Sequence, residues 1–415
     1  MLFLFFFLII VLFIPNFPSI MKGNEIHVIF SPVILCLLWS SFYFKKLKFN
    51  KHVKVALFFS LSGFILLVQS LLKDTIFGNA SFSDIIGTFR PLYFFLFFIF
   101  FYFYIDSLNK LNKYINLLCF FGLILAVHAF LEVFGPDFFQ KINFFLYKRE
   151  DKLIILDKAV STFGITYLFS FFMLIPTLIF YYLFLNKRNI VFLVGFLLCS
   201  SAIFLSQSRT VFIAYFISIA LSFIFIPKHD NASYRTFLAL IASTGFILFV
   251  LFVSYFDVII TQFNYIFKGI LYLLENGVDL SGNGTGSINS RFNQLRLVFV
   301  DNDGLPLLGI GLGRHIDNQL ESIYAYYTYR YGLIFLISFM CLIMLTSYKA
   351  RSIANNICNT YKESSFYSAV ALFLFVSPIS LIAAPSHELI RMNVIFFSLF
   401  ALVFIFEKLK YSNST

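Results

Sequence analysis

Charge is what this sequence has least of. Lys, Arg, Asp and Glu make up 12% of its 415 residues, about half their usual share in a soluble protein. That scarcity excludes a cytosolic enzyme of this length, because a soluble fold needs far more polar surface to cover its core. Cysteine is sparse as well. The five present (Cys36, Cys119, Cys199, Cys341 and Cys358) show no CxxC and no Cys/His metal spacing, and none falls on a segment expected outside the cell. This excludes a secreted disulfide scaffold, and the cysteines read as small packing residues. What fills the chain is apolar: 60% of it is hydrophobic, and phenylalanine alone occurs 63 times. The solvent for such a composition is lipid.

Twelve apolar stretches are candidates to enter a hydrocarbon core, at 2–14, 26–44, 55–72, 91–105, 114–134, 163–185, 190–205, 210–226, 237–256, 323–345, 366–384 and 392–406. The expected fold is therefore an all-α polytopic integral membrane protein with about twelve transmembrane helices. Nine occupy 1–256, a large outer loop occupies 257–322, and three more occupy 323–415. No basic segment precedes the first stretch and no small-residue cleavage site follows it, so it is expected to span rather than to act as a signal peptide. Lys45, Lys46, Lys48, Lys51 and Lys54, between the second and third stretches, belong in the cytoplasm, which puts both termini there too.

This topology accounts for the net charge of +11 without a nucleic-acid partner. It also separates the two cations. Of the 20 lysines, 13 fall inside and 7 outside, whereas of the 11 arginines 3 fall inside and 8 outside. Lysine follows the insertion rule and arginine runs against it. The planar guanidinium fork grips phosphate and carboxylate in a way that a lysine point charge does not, so the outer excess points to an anionic substrate at the outer leaflet. Taken singly, any of these arginines also fits helix-end snorkelling or an ion pair.

Two outer loops are long. The first, 135–161, carries Lys148, Arg149, Glu150, Asp151 and Lys152 in alternating sign, the pattern of a solvated or partner-facing surface. The second, 257–322, opens with an amphipathic stretch at 257–276 and a glycine-rich run at 281–286. Next comes Ser290-Arg-Phe-Asn-Gln-Leu-Arg296, read as a helix capped by Asn289 or Ser290. On that helix Arg291 and Arg296 point about 140° apart and can hold two sides of a bulky anion. Pro306-Leu-Leu-Gly-Ile-Gly-Leu-Gly313 has GxGxG spacing and no βαβ context, so it is no nucleotide fingerprint; its glycines permit close backbone approach. The loop ends on Arg314, His315, Asp317, Asn318 and Glu321. Asp317 and Glu321 share a helix face if the tenth span starts early, giving either a general-base neighbourhood or simply acids at a helix N-terminus.

Further ionisable residues crowd the outer ends of spans, where they are costly unless paired or functional. They are Asp84 and Arg90 before the fourth span, Arg209 in the tight Ser206-Gln-Ser-Arg turn, and His387, Glu388 and Arg391 between the last two spans. Tyr324, Tyr326, Tyr327, Tyr329 and Tyr331 read as an interfacial aromatic belt, with sugar stacking a secondary role.

Ser206–Arg209, Ser290–Leu295, Pro306–Gly313, Asp317-Asn318 and Tyr331-Gly332, in this order, resemble the O-antigen polymerase and O-antigen ligase superfamily. The resemblance covers roughly residues 200–340. It implies a GT-C-like, metal-independent glycosyltransferase without cofactors, in the bacterial inner membrane with its active face in the periplasm. Its partners would be an undecaprenyl-diphosphate-linked oligosaccharide and the bilayer, with a chain-length regulator and a flippase in the same pathway. Ligase-like members carry His-Asn where this chain has Asp317-Asn318, a departure that favours a polymerase. On this reading Arg90, Arg209, Arg291 and Arg296 neutralise the leaving diphosphate, and Asp317 or His315 takes the acceptor proton. Asn318, Glu321, Arg314, His387 and Arg391 complete the substrate site. The alternatives are an O-antigen ligase, or a lipid-linked-oligosaccharide flippase, which would place charges deep in several spans.

Overall fold

The computed structural model describes residues 2–18, 26–43, 50–76, 82–148, 158–226, 287–300, 306–313, 320–356 and 360–412. Among the described residues the regular elements are all helical, as an apolar chain requires when no water is present to satisfy its backbone. They are α1 (Leu2–Phe13), α2 (Ile26–Tyr43), α3 (Lys51–Ile76), α4 (Phe82–Thr88), α5 (Arg90–Tyr104), α6 (Leu108–Phe134), α7 (Asp137–Tyr147) and α8 (Thr166–Lys187). After them come α9 (Ile190–Ser206), α10 (Arg209–Leu221), α11 (Ser287–Phe299), α12 (Ile323–Arg330), α13 (Leu333–Asn356), α14 (Tyr361–Ser380) and α15 (Ile390–Ser412).

Five of these helices, α3, α6, α8, α13 and α14, are long and apolar enough to cross a membrane, and six shorter apolar helices accompany them. This is the build of a multi-pass helical membrane protein. Each expected span except the ninth meets a helix; the ninth, at 237–256, lies outside the described residues, as do the 256/257 boundary and the amphipathic stretch at 257–276.

The bundle is organised around α8, a helix that is apolar on all sides and buried along nearly its whole length. It packs against α9 and α14; α13 and α10 flank α14, while α15 lies along α5. Where α6 crosses α8, a Cβ on Gly122 would stand 2.5 Å from Pro176, so only glycine fits there. One end of the bundle is held by lysine and amide side chains. Lys362 Nζ donates to Asn116 Oδ1 at 2.6 Å, and Asn186 Nδ2 donates to Ser365 Oγ at 2.6 Å. The opposite end gathers Arg90, Arg209 and Arg391, each in the first turn of its helix, together with the 306–313 segment.

Three expectations change. The tenth span is not one helix but two, because the chain turns at Gly332 with φ +91°. The 306–313 segment occupies the gap: Leu333 N donates to Pro306 O at 2.9 Å, and a Cβ at 332 would sit 2.3 Å from Leu307 O. The first outer loop contains a helix, α7, and Lys148 at its C-terminus is buried rather than solvated. It pairs at 3.1 Å with the equally buried Glu132 of α6, whose other oxygen accepts from Val160 N and Ser161 N. Finally, α11 starts at Ser287, ahead of the expected caps Asn289 and Ser290.

Candidate functional site

The short helix α12 presents a different chemistry on each of three faces, because residues four apart stack on one side of a helix. Ala325 and Tyr329 pack on Val298 of α11. Tyr327 and Tyr331 turn inward onto Phe335 and Phe339 of α13. Tyr326 and Arg330 form the third face, with the guanidinium 4.2 Å above the phenol ring. The tyrosines are therefore no aromatic belt: Tyr326, Tyr327, Tyr329 and Tyr331 are buried, and only Tyr324 is half-exposed. Their hydroxyls find partners inside the bundle end, which a lipid-facing belt does not offer.

Those partners come from the turn between α14 and α15. Glu388 Oε1 accepts from Tyr331 OH at 2.9 Å, and Oε2 accepts from Tyr326 OH at 2.9 Å and from Arg90 Nη1 at 3.5 Å. Arg90 and Arg330 both donate to Tyr326 OH, at 3.2 and 2.6 Å. Two guanidinium groups thus meet on one phenol, and one of them, Arg90, also reaches the carboxylate. Glu388 is buried while the Arg90 side chain is 37% exposed, so the surplus positive charge lies on the open side. Among the described residues, the bonds of Arg90 run through Nη1, leaving Nη2 and Nε for a ligand.

His387 lies deeper. Its Nε2 stands 2.5 Å from Tyr327 OH, its ring stacks on Phe339, and Phe94 and Phe396 close the cage. Nδ1 is buried and has no hydrogen-bond partner among the described residues. Burial lowers the imidazole pKa to about 4, so the ring is neutral at physiological pH and contributes no charge to bind an anion.

Helix α11 lies beside α12. Gln294 Oε1 accepts from Glu321 N and Ser322 N at 2.9 and 3.0 Å, satisfying two donors that precede α12. Ser322 is extended and the helix starts at Ile323, so it does not start early and Glu321 stands ahead of it; Asp317 lies outside the described residues. Glu321 instead pairs with Arg291 Nη2 at 2.5 Å, and Arg291 also donates to Ala383 O in the turn after α14. Arg296 points to the exposed side of α11, so the two arginines do lie on different faces.

Arg391 is committed elsewhere. It is buried and donates to the carbonyls of Leu12, Ile14 and Thr162 and to Asn16 Oδ1, tying α15 to the end of α1 and to the turn before α8. That set of acceptors is a structural tie rather than an opening to substrate. Arg209 is half-buried at the start of α10. Among the candidates, then, Arg90, His387, Arg291 and Glu321 gather around α12, while Arg391 borders the turn before α8 and Arg209 starts α10. Arg314, His315, Asp317 and Asn318 lie outside the described residues.

No family model and no curated protein matches this chain.

The geometry adds Glu388, Tyr326, Tyr331 and Arg330 to the site. From the sequence, Glu388 stands out only as one of several ionisable residues at span ends, and the tyrosines read as a lipid interface. The signal was the i,i+4 spacing of Tyr327 with Tyr331 and of Tyr326 with Arg330, which marks two polar faces on one short helix. Asp301 and Asp303 make an Asp-x-Asp pair, a spacing that a metal-independent reading does not use. It too lies outside the described residues. Among the described residues, no three His, Cys, Asp or Glu side chains converge as a metal-ligand set.

Proposed function

We propose that this protein is an O-antigen polymerase: a membrane glycosyltransferase that moves a growing glycan from undecaprenyl diphosphate onto the next lipid-linked repeat unit. One observation carries the reading. Two partly open guanidinium groups, Arg90 and Arg330, converge on one phenol above a single buried carboxylate, at the bundle end where the other outer arginines also gather. A cradle with surplus positive charge and fixed donors suits a leaving group that develops negative charge. The order of the Ser-x-Ser-Arg, Ser-Arg, Gly-x-Gly-x-Gly and Asp-Asn elements supports the same family.

In the reaction a hydroxyl oxygen of the acceptor sugar attacks the anomeric carbon of the donor glycan. The bond from that carbon to the diphosphate oxygen breaks, and undecaprenyl diphosphate departs with the electron pair. The acceptor proton passes to a base, for which Asp317 or His315 stands nearest in sequence. Arg90 and Arg330 hold the departing diphosphate, and Glu388 with its two phenols keeps both guanidiniums aimed outward. The cradle end is then the periplasmic face, and twelve spans with both termini in the cytoplasm complete the topology.

The test is deletion of the gene followed by electrophoresis of surface lipopolysaccharide. Loss of the polymerase leaves core bearing a single repeat unit. Bare core in place of that band would point to a ligase or to a flippase, and would overturn the proposal.

A further inference from the structure

The glycine-rich segment 306–313 is held down by one helix that the site itself does not use. Near the end of α3, Ser70, Lys73 and Asp74 occupy successive positions against it. Ser70 Oγ donates to Arg330 O at 2.6 Å, Lys73 Nζ donates to Gly309 O at 2.7 Å, and Asp74 Oδ2 accepts from Leu312 N at 2.8 Å. Asp74 is 3% exposed, a carboxylate whose burial is offset by a backbone N–H rather than by solvent. The fit is close. A Cβ at Gly311 would stand 2.4 Å from Asp74 Oδ1, and one at Gly309 would stand 2.2 Å from Arg330 O. Glycine is required at both places because the strand runs between α3 and α12 with no room for a side chain.

The other backbone group of Leu312 reaches the site. Leu312 donates its N–H to Asp74 and uses its own carbonyl to accept from Arg330 Nε at 2.9 Å. Arg330 then donates from Nη1 to Tyr326 OH. A continuous path therefore runs from a carboxylate on α3, through one backbone residue, to a guanidinium of the cradle.

We propose that Asp74 is a positioning residue: it fixes the Gly309–Gly313 strand so that the Leu312 carbonyl aims the Arg330 guanidinium at Tyr326. The role of the cradle in transfer rests on the glycosyl-transfer reading; the mechanical link from Asp74 to Arg330 does not. The second half of the motif thus acts as a mechanical spacer. Its glycines let two helices share one strand, and its function is to orient an arginine.

The test uses the purified full-length protein in detergent micelles, with phenylglyoxal as an arginine-specific probe and mass spectrometry to read each site. Arg188, at the opposite end of the bundle, is the internal reference. With Nε and Nη1 engaged, Arg330 should label slowly in the native protein. Asp74→Ala should speed labelling of Arg330 about tenfold, the factor expected for one lost charge-assisted bond, while Arg188 stays constant. Asp74→Asn, which keeps an oxygen for Leu312 N–H, should label like the native chain. In a transfer assay with lipid-diphosphate-linked glycan, Asp74→Ala should lower kcat with little change in KM, and Asp74→Asn should restore it. If Asp74→Ala fails to fold, Gly311→Ala pries the strand away from the same carboxylate and should expose Arg330 equally. Unchanged Arg330 labelling in a folded Asp74→Ala or Gly311→Ala protein overturns the proposal. The expected labelling pattern with no transfer by the native protein would leave the positioning intact and remove the proposed function.

Discussion

Replacing Glu388 by Gln is the most direct probe of the cradle, and its cost follows from the geometry. The carboxylate takes Tyr331 OH on one oxygen, and Tyr326 OH with Arg90 Nη1 on the other. A glutamine keeps the shape but turns one acceptor into a donor. That donor cannot face Tyr326, whose oxygen already receives Arg90 and Arg330. It must face Tyr331, whose hydroxyl proton then loses its acceptor. Hydrogen bonds to a charged partner contribute about 1.5–3 kcal/mol and neutral ones about 0.5–1.5, so the lost bond and the weakened one together cost about 2–4 kcal/mol. The Arg90 pair adds less than about 1 kcal/mol, because that side chain is partly solvated. Equilibrium unfolding in mixed detergent and SDS micelles measures the change. A double-mutant cycle with Tyr331→Phe should give a coupling of about 1–2 kcal/mol. Additivity of the two substitutions within about 0.5 kcal/mol would refute the direct bond.

Acidification should destabilise the fold through His387. Its folded pKa, about 4, lies below the ordinary 6.5, so between these values the unfolded chain binds a proton that the folded chain refuses. Stability is unaffected above pH 6.5 and is lost as pH falls, by about 2 kcal/mol at pH 5. Among the described residues, Tyr327 and the adjacent Glu388 are the titratable groups at the ring, and Phe94, Phe339 and Phe396 pack around it. The pH 7 to pH 5 drop in unfolding midpoint should shrink in His387→Gln, and an equal drop in both proteins would count against it. Lys148→Met should cost about 3–5 kcal/mol by leaving Glu132 buried without its cation, and adding Glu132→Gln should recover most of that. Failure of the second change to rescue unfolding resistance would show that the pair is not the cause. Arg330→Lys keeps the charge but cannot reach Leu312 O and Tyr326 OH together, so transfer should fall about tenfold or more at normal protein levels. Full-length glycan ladders from cells carrying Arg330→Lys would contradict the need for a fork.

The membrane character of this protein follows from its sequence alone. With 12% charged residues and 60% apolar ones, no arrangement covers the chain with polar surface, so helices with internally satisfied backbones are forced whatever their packing. The positions of most spans follow as well, because lengths of uncharged sequence are a local property. The crowding of arginines at helix starts was equally visible, since it is a matter of order along the chain. Tertiary structure alone decided which of them act together. Arg90 and Arg330 meet on Tyr326 across 240 positions, whereas Arg391 spends its donors on backbone carbonyls that no local pattern announces. The break at Gly332 and the burial of the tyrosines share this origin. Both depend on a strand from 306–313 entering between α3 and α12, and composition does not encode which backbone fills a gap.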